Sequence, residues 1–217
     1  MPQLLVAHAA KVVLLALLAG ILWRGRARLC WSFVLYVVAL LVGNAVVSLW
    51  PSRFWTPSAW LLKQWIYDAL KMAVVAELAW RAFRRFPGAA RTGQAIILAL
   101  LVPSTLALAP LGLAHPYAAA WEWQAHVATA LWLLAAAALI VVWHQTPSAQ
   151  WWQRAIIMGL APLLVYAGLF ALLLPQGWAL SRSVAVVEAF VSLGLFIFWT
   201  WAAWRGETAR AGLTPAS

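Results

Sequence analysis

Seven apolar runs, each close to twenty residues long, follow one another along this chain with only short breaks between them. They fall at about residues 4 to 23, 29 to 50, 59 to 82, 95 to 113, 121 to 143, 155 to 174 and 184 to 204. A helix of about 20 apolar residues crosses a hydrocarbon core. The composition leaves no soluble alternative: 66% of the 217 residues are hydrophobic and 9% are charged, against about 45–50% and about 25% in soluble domains. The expected fold is an all-α integral membrane protein, a seven-transmembrane-helix bundle over residues 1–205 with a short cytoplasmic tail at 206–217. No room is left for a separate catalytic or DNA-binding domain.

The breaks are polar or helix-breaking: Arg24-Gly25-Arg26-Ala27-Arg28, Pro51-Ser52-Arg53, Arg84-Arg85-Phe86-Pro87-Gly88, His115-Pro116, Thr146-Pro147-Ser148 and Pro175-Gln176-Gly177. Their shortness makes successive helices antiparallel neighbours. Pro103 and Pro110 interrupt the fourth span, where a kink is expected. The first span lacks a basic leader and a small-residue cleavage site before Arg24, so it reads as a retained helix rather than a signal peptide.

The net charge of +10 is a topology signal. Arg24, Arg26, Arg28, Arg81, Arg84, Arg85, Arg91, Arg154, Arg205 and Arg210 lie in the first, third and fifth loops and the tail, whereas the alternate loops hold only Arg53 and Arg182. The arginine-rich side is cytoplasmic by the positive-inside rule, which puts the N-terminus outside and the chain in a plasma (inner) membrane. Basic residues that punctuate apolar runs do not gather into a nucleic-acid surface. Cys30, the one cysteine, excludes an intrachain disulfide and offers a place for S-acylation. Trp50, Trp55, Trp60, Trp121, Trp123 and Trp178 fall at the outer boundary, and Trp23, Trp31, Trp80, Trp143, Trp151, Trp152 and Trp204 at the inner one, as an aromatic belt would.

Spans one to three can be laid over spans five to seven. Ala7-His8 falls on Ala125-His126, Pro51 on Pro175 and Trp80-Arg81 on Trp204-Arg205, with span four as an inverting linker. Such a three-plus-one-plus-three plan places two parallel triplets in the membrane.

Ionisable groups inside a span cost roughly 2.5 to 3.5 kcal/mol each on insertion scales, so they turn toward the bundle interior or a wet cavity. The third span carries Lys63, Gln64, Tyr67, Asp68 and Lys71 on one face, with Asp68 and Lys71 spaced to pair. Glu77 and Arg81, four apart, form an interfacial pair. The outer half of the bundle also receives His8 and Lys11 from span one, Asn44 and Ser48 from span two, His126 from span five, Tyr166 from span six and Glu188 from span seven. The inner half receives much less, which points to an outer polar pocket for a small polar or anionic ligand. Against this stand snorkelling of His8, Lys11, His126 and Glu188 to the near surface and a simple interhelical hydrogen-bonding role for Asn44 and Tyr166.

Sharper chemistries find little support. Residues 184 to 204 contain no lysine for a retinal Schiff base. Haem ligation by His8 and His126 is geometrically conceivable on pseudo-equivalent helices. Clustered zinc ligands, a Gly-x-Ser-x-Gly elbow and phosphate-cradling glycine loops are absent from the sequence. The expectation is therefore a protein without a cofactor or catalytic residues. The leading expectation is a small heptahelical sensor or receptor-like module whose outer ligand would shift spans three, six and seven, with Pro162 and the Asp68–Lys71 pair as bistable elements. It would signal through a membrane or cytoplasmic protein partner. The alternatives are a small polar-solute carrier rocking about Asp68 and Lys71, and an accessory subunit of a larger membrane complex.

Overall fold

The computed structural model describes residues 2–54, 56–83, 95, 150–173 and 178–205. Every regular element among them is helical: α1 (Pro2–Trp23), a 3-10 turn (Arg26–Leu29), α2 (Trp31–Leu49), the single turn α3 (Pro51–Phe54), α4 (Pro57–Phe83), α5 (Trp151–Leu173) and α6 (Trp178–Trp204). These match five of the seven apolar runs to within a few residues. The fourth and fifth runs lie outside the described residues, Ala95 apart.

Local chemistry sets the breaks. Gly25 takes the left-handed conformation at φ 63°, which a residue with a Cβ adopts at a cost, and it stops α1. Its N–H donates to Leu22 O at 3.1 Å and that of Arg24 to Gly20 O at 3.1 Å, so two carbonyls at the end of α1 are satisfied. Pro57 starts α4 at the position where a missing N–H costs nothing, and Thr56 Oγ1 accepts from Ala59 N–H at 3.3 Å as the N-cap. Pro162 sits within α5, which continues through it.

Direction follows from which residues meet. Thr200 Oγ1 donates to Val13 O at 3.3 Å, and Trp204 Nε1 to Ala16 O at 3.0 Å, so α6 runs parallel to α1. α2 and α4 are antiparallel, with Ser32 opposite Glu77 and Gly43 opposite Tyr67. α5 and α6 are antiparallel too, Trp151 meeting Trp201 and Gly159 meeting Trp199. α1, α4 and α6 therefore point one way, and α2 and α5 the other.

The core occupies one end of this arrangement. Leu14, Leu17 and Ile21 of α1, Phe33 to Leu40 of α2, Met72 to Ala79 of α4, Trp152 to Leu160 of α5 and Leu195 to Ala203 of α6 supply its buried members. Phe33 is the hub, edge-on to Trp152 at 5.6 Å and to Trp199 at 4.9 Å between ring centroids. Toward the other end, none of residues 6, 8–12, 41–50, 187 and 189–194 is buried.

Apolar surface faces outward on every long helix, as at Val12, Leu22, Leu35, Leu62 and Phe190. α2 is long and apolar enough to cross a membrane, and only 28% of that stretch is buried. The core helix of a soluble protein is mostly covered, whereas much of the surface of α2 is not.

Candidate functional site

α4 positions the polar stripe. Lys63 and Tyr67 lie one turn apart and face α2, where the Tyr67 hydroxyl and the Lys63 stem close on the Cα of Gly43. A Cβ at Gly43 would overlap the Tyr67 hydroxyl, so the close approach of α4 to α2 requires the glycine. Lys63 Nζ stands 6.0 Å from the Tyr67 ring centroid, and the Tyr36 ring meets Tyr67 edge-on at 6.5 Å. Leu62 and Ile66 take the outward face of the same helix.

Tyr67 is 9% exposed, and its hydroxyl has no hydrogen-bond partner among the described residues. A buried hydroxyl without a partner costs about 1–3 kcal/mol, so such a group calls for an explanation. One helical step on, Lys71 Nζ donates to Asp68 Oδ1 at 2.9 Å, with side chains 18% and 13% exposed. Tyr67 and the pair thus follow one another along α4.

Other expected ligands are placed less centrally. Lys11 Nζ donates to Ser48 Oγ at 2.6 Å, and Ser48 Oγ donates to Asn44 O at 2.8 Å, which ties α1 to α2 near the outer end. Lys11 thus has an interhelical partner, and Asn44 enters this tie through its backbone carbonyl. His8 is exposed on α1. Tyr166 and Glu188 fall on α5 and α6, and His126 lies outside the described residues. Lys63, Tyr67, Asp68 and Lys71 lie together on α4, whereas Lys11 lies on α1 with its partner on α2. Among the described residues, no three His, Cys, Asp or Glu side chains gather as metal ligands would.

Three features correct the sequence reading of the inner end. First, Glu77 does more than pair with Arg81 (Oε1 to NH2, 2.6 Å). Its carboxylate also accepts from the N–H groups of Trp31 at 3.1 Å and Ser32 at 2.8 Å. Cys30 gives α2 no side-chain cap, so a residue from α4 supplies it, where the helix dipole favours a negative charge. A helix start without Ser, Thr, Asp or Asn was the available signal.

Second, the inner end is not short of buried polar groups. Arg26, 7% exposed, reaches the C-terminus of α6, donating to Ala202 O at 2.7 Å and to Arg205 O, while Arg24 donates to Trp204 O at 3.2 Å. Gln153 on α5 is buried as well. Arg24 and Arg26 satisfy carbonyls that a helix end leaves open, at the pole where a cation is favoured.

Third, Trp152 is 1% exposed and belongs to the core rather than to a belt. Cys30, at 1%, sits in the turn before α2 with its Sγ 3.6 Å from Glu77 Oε2, which removes it as an acylation site in the folded chain. No family model matches the chain, and neither a curated protein nor a solved structure matches it significantly.

Proposed function

We propose that the chain is a seven-span sensor or receptor-like module of the plasma (inner) membrane, with its N-terminus outside. In this reading the stripe Lys63–Tyr67–Asp68–Lys71 is the floor of an outer pocket for a small polar ligand. The observation that carries it is the buried, partnerless Tyr67 hydroxyl beside the Asp68–Lys71 ion pair on α4.

Seven crossings are supported by parity. α4 ends, and α5 begins, at the end of the bundle that holds Cys30 and Arg205. Residues 84–149 join two points at that end, and their two apolar runs are long enough for one outward and one inward crossing. The parallel course of α1 and α6 also fits an odd number of spans.

A carrier must open both ends in turn. Opening the inner end here would break the Arg26 contacts to α6, the Glu77 cap and the aromatic cluster at Phe33, whereas a sensor leaves them closed. That favours the sensor. The test is a thermal-shift screen of the purified chain against amino acids, sugars, organic acids, lipids and haem, repeated on Asp68→Asn and Lys71→Met. A ligand that stabilises the wild type and neither variant places the site on α4. If no ligand acts and both variants melt like the wild type, the pocket is refuted, and an accessory-subunit role becomes the reading to test.

A further inference from the structure

We propose a second site, independent of the first, in which Arg205 binds the phosphate of an anionic phospholipid of the inner leaflet. Its guanidinium lies 5.2 Å from the ring of Trp151 on α5 and 5.0 Å from that of Trp201 on α6, and these rings meet edge-on at 5.9 Å. Two aromatic faces hold the cation in place without using its N–H donors. Among the described residues, no acceptor meets those donors, and Arg205 is exposed.

The surroundings select for an anion. Arg24 and Arg26 converge on the same last turn of α6, and the one carboxylate described at this end, Glu77, is engaged by Arg81 and by the start of α2. A planar guanidinium pairs with a phosphate through two parallel hydrogen bonds.

An exposed apolar stripe distinguishes a lipid from a free phosphate. Phe190, Gly194, Ile197 and Trp201 follow one another at helical spacing along α6, are all exposed and end at Arg205. The space over Gly194 is open. From Phe190 to Trp201 the rise is about 16 Å at about 1.5 Å per residue, close to half of the roughly 30 Å hydrocarbon core. An acyl chain laid along the stripe brings its headgroup to Arg205. Trp23 and Trp31, 82% and 54% exposed, mark the same end as headgroup level.

The experiment titrates the full chain in a neutral detergent with phosphatidylglycerol, phosphatidylcholine, inorganic phosphate and polyglutamate, reading affinity by native mass spectrometry and stability by thermal shift. Phosphatidylglycerol should bind more tightly than phosphatidylcholine, with inorganic phosphate and polyglutamate inactive. Arg205→Gln should weaken phosphatidylglycerol about five-fold, the weight of one arginine at an anionic surface. Arg205→Lys, which keeps the charge and loses the fork, should weaken it less, and Arg53→Gln at the opposite end should leave it unchanged. Equal binding of the two lipids, an equal loss in Arg53→Gln, or no loss in either Arg205 variant overturns the site. Stabilisation by polyglutamate without lipid preference would assign the clamp to an acidic protein instead.

Discussion

Trp199 Nε1 donates to the carbonyl oxygen of Ala155 at 3.1 Å, and its ring lies over Gly159 one turn further along α5. Trp204 repeats the arrangement on the other side of α6, donating to Ala16 O and lying over Gly20 of α1. In each case an Ala-x-x-x-Gly notch admits an indole whose N–H finds a backbone acceptor, as the buried Trp199 needs. Small residues four apart let helices approach closely where no hydrophobic effect drives them together. α6 is thereby keyed to both of its neighbours.

The key at Gly159 is steric and polar at once, and the two parts separate by substitution. A Cβ at Gly159 would overlap the Trp199 ring, so Gly159→Ala should destabilise by about 1–3 kcal/mol through overpacking. Trp199→Phe in the native notch loses one hydrogen bond, about 0.6 kcal/mol in a bilayer, and part of a fully buried ring. The double variant should cost less than the sum, because the smaller ring accommodates the methyl group. Unfolding midpoints in mixed micelles read the difference, and additive effects would show that the ring does not sit on Gly159.

Glu77 gives a prediction that runs between helices. Glu77→Ala leaves the Trp31 and Ser32 N–H groups and Arg81 without their acceptor, which should cost about 1–3 kcal/mol. Placing a cap inside α2 should recover part of that loss. Cys30 is in the extended conformation of an N-cap residue, so Cys30→Ser in the Glu77→Ala background should regain about 0.5–1 kcal/mol. If serine gives nothing back, the Glu77 effect belongs to its pairing with Arg81.

Burial, followed by the negative charge of Glu77, pushes the Cys30 thiol up from its ordinary 9.0. The thiolate is the reactive form, so maleimide at pH 8 should leave the native chain unlabelled and label it fully in denaturing detergent. Favouring the neutral thiol stabilises the fold. That contribution is complete below pH 9.0, the ordinary value, and is lost as pH rises toward the folded value. Rapid native labelling at pH 8 would mean that the turn before α2 is open.

The helices were legible in the sequence because apolar runs of about 20 residues between polar or helix-breaking segments mark them, and α2 alone among the described helices is long and apolar enough to cross a membrane. The Asp68–Lys71 pair was equally legible, since partners three apart on one helix need no tertiary information. Arg26, Glu77 and Trp199 were not. Each is defined by a partner many residues away, and the reading of charge as topology covered only the bulk of the arginines. Arg26 obeys that rule by its side of the bundle, yet it is buried and caps α6.

The Asp68–Lys71 pair allows a test that separates a structural pair from a ligand site. Both side chains are largely buried, so removing one charge takes the salt bridge from the other. Asp68→Asn and Lys71→Met should each destabilise by about 1–3 kcal/mol, below the 3–5 kcal/mol of a fully buried pair because both partners keep some exposure. With neither charge left, the double variant should be close to wild type in stability, since a neutral pair of similar volume removes the desolvation cost along with the attraction. A double variant that folds normally and still binds nothing would tie ligand capture to the charges themselves. A double variant as unstable as the sum of its parts would mean that each residue has a separate structural partner, and the pair would then lose its place as the floor of the pocket.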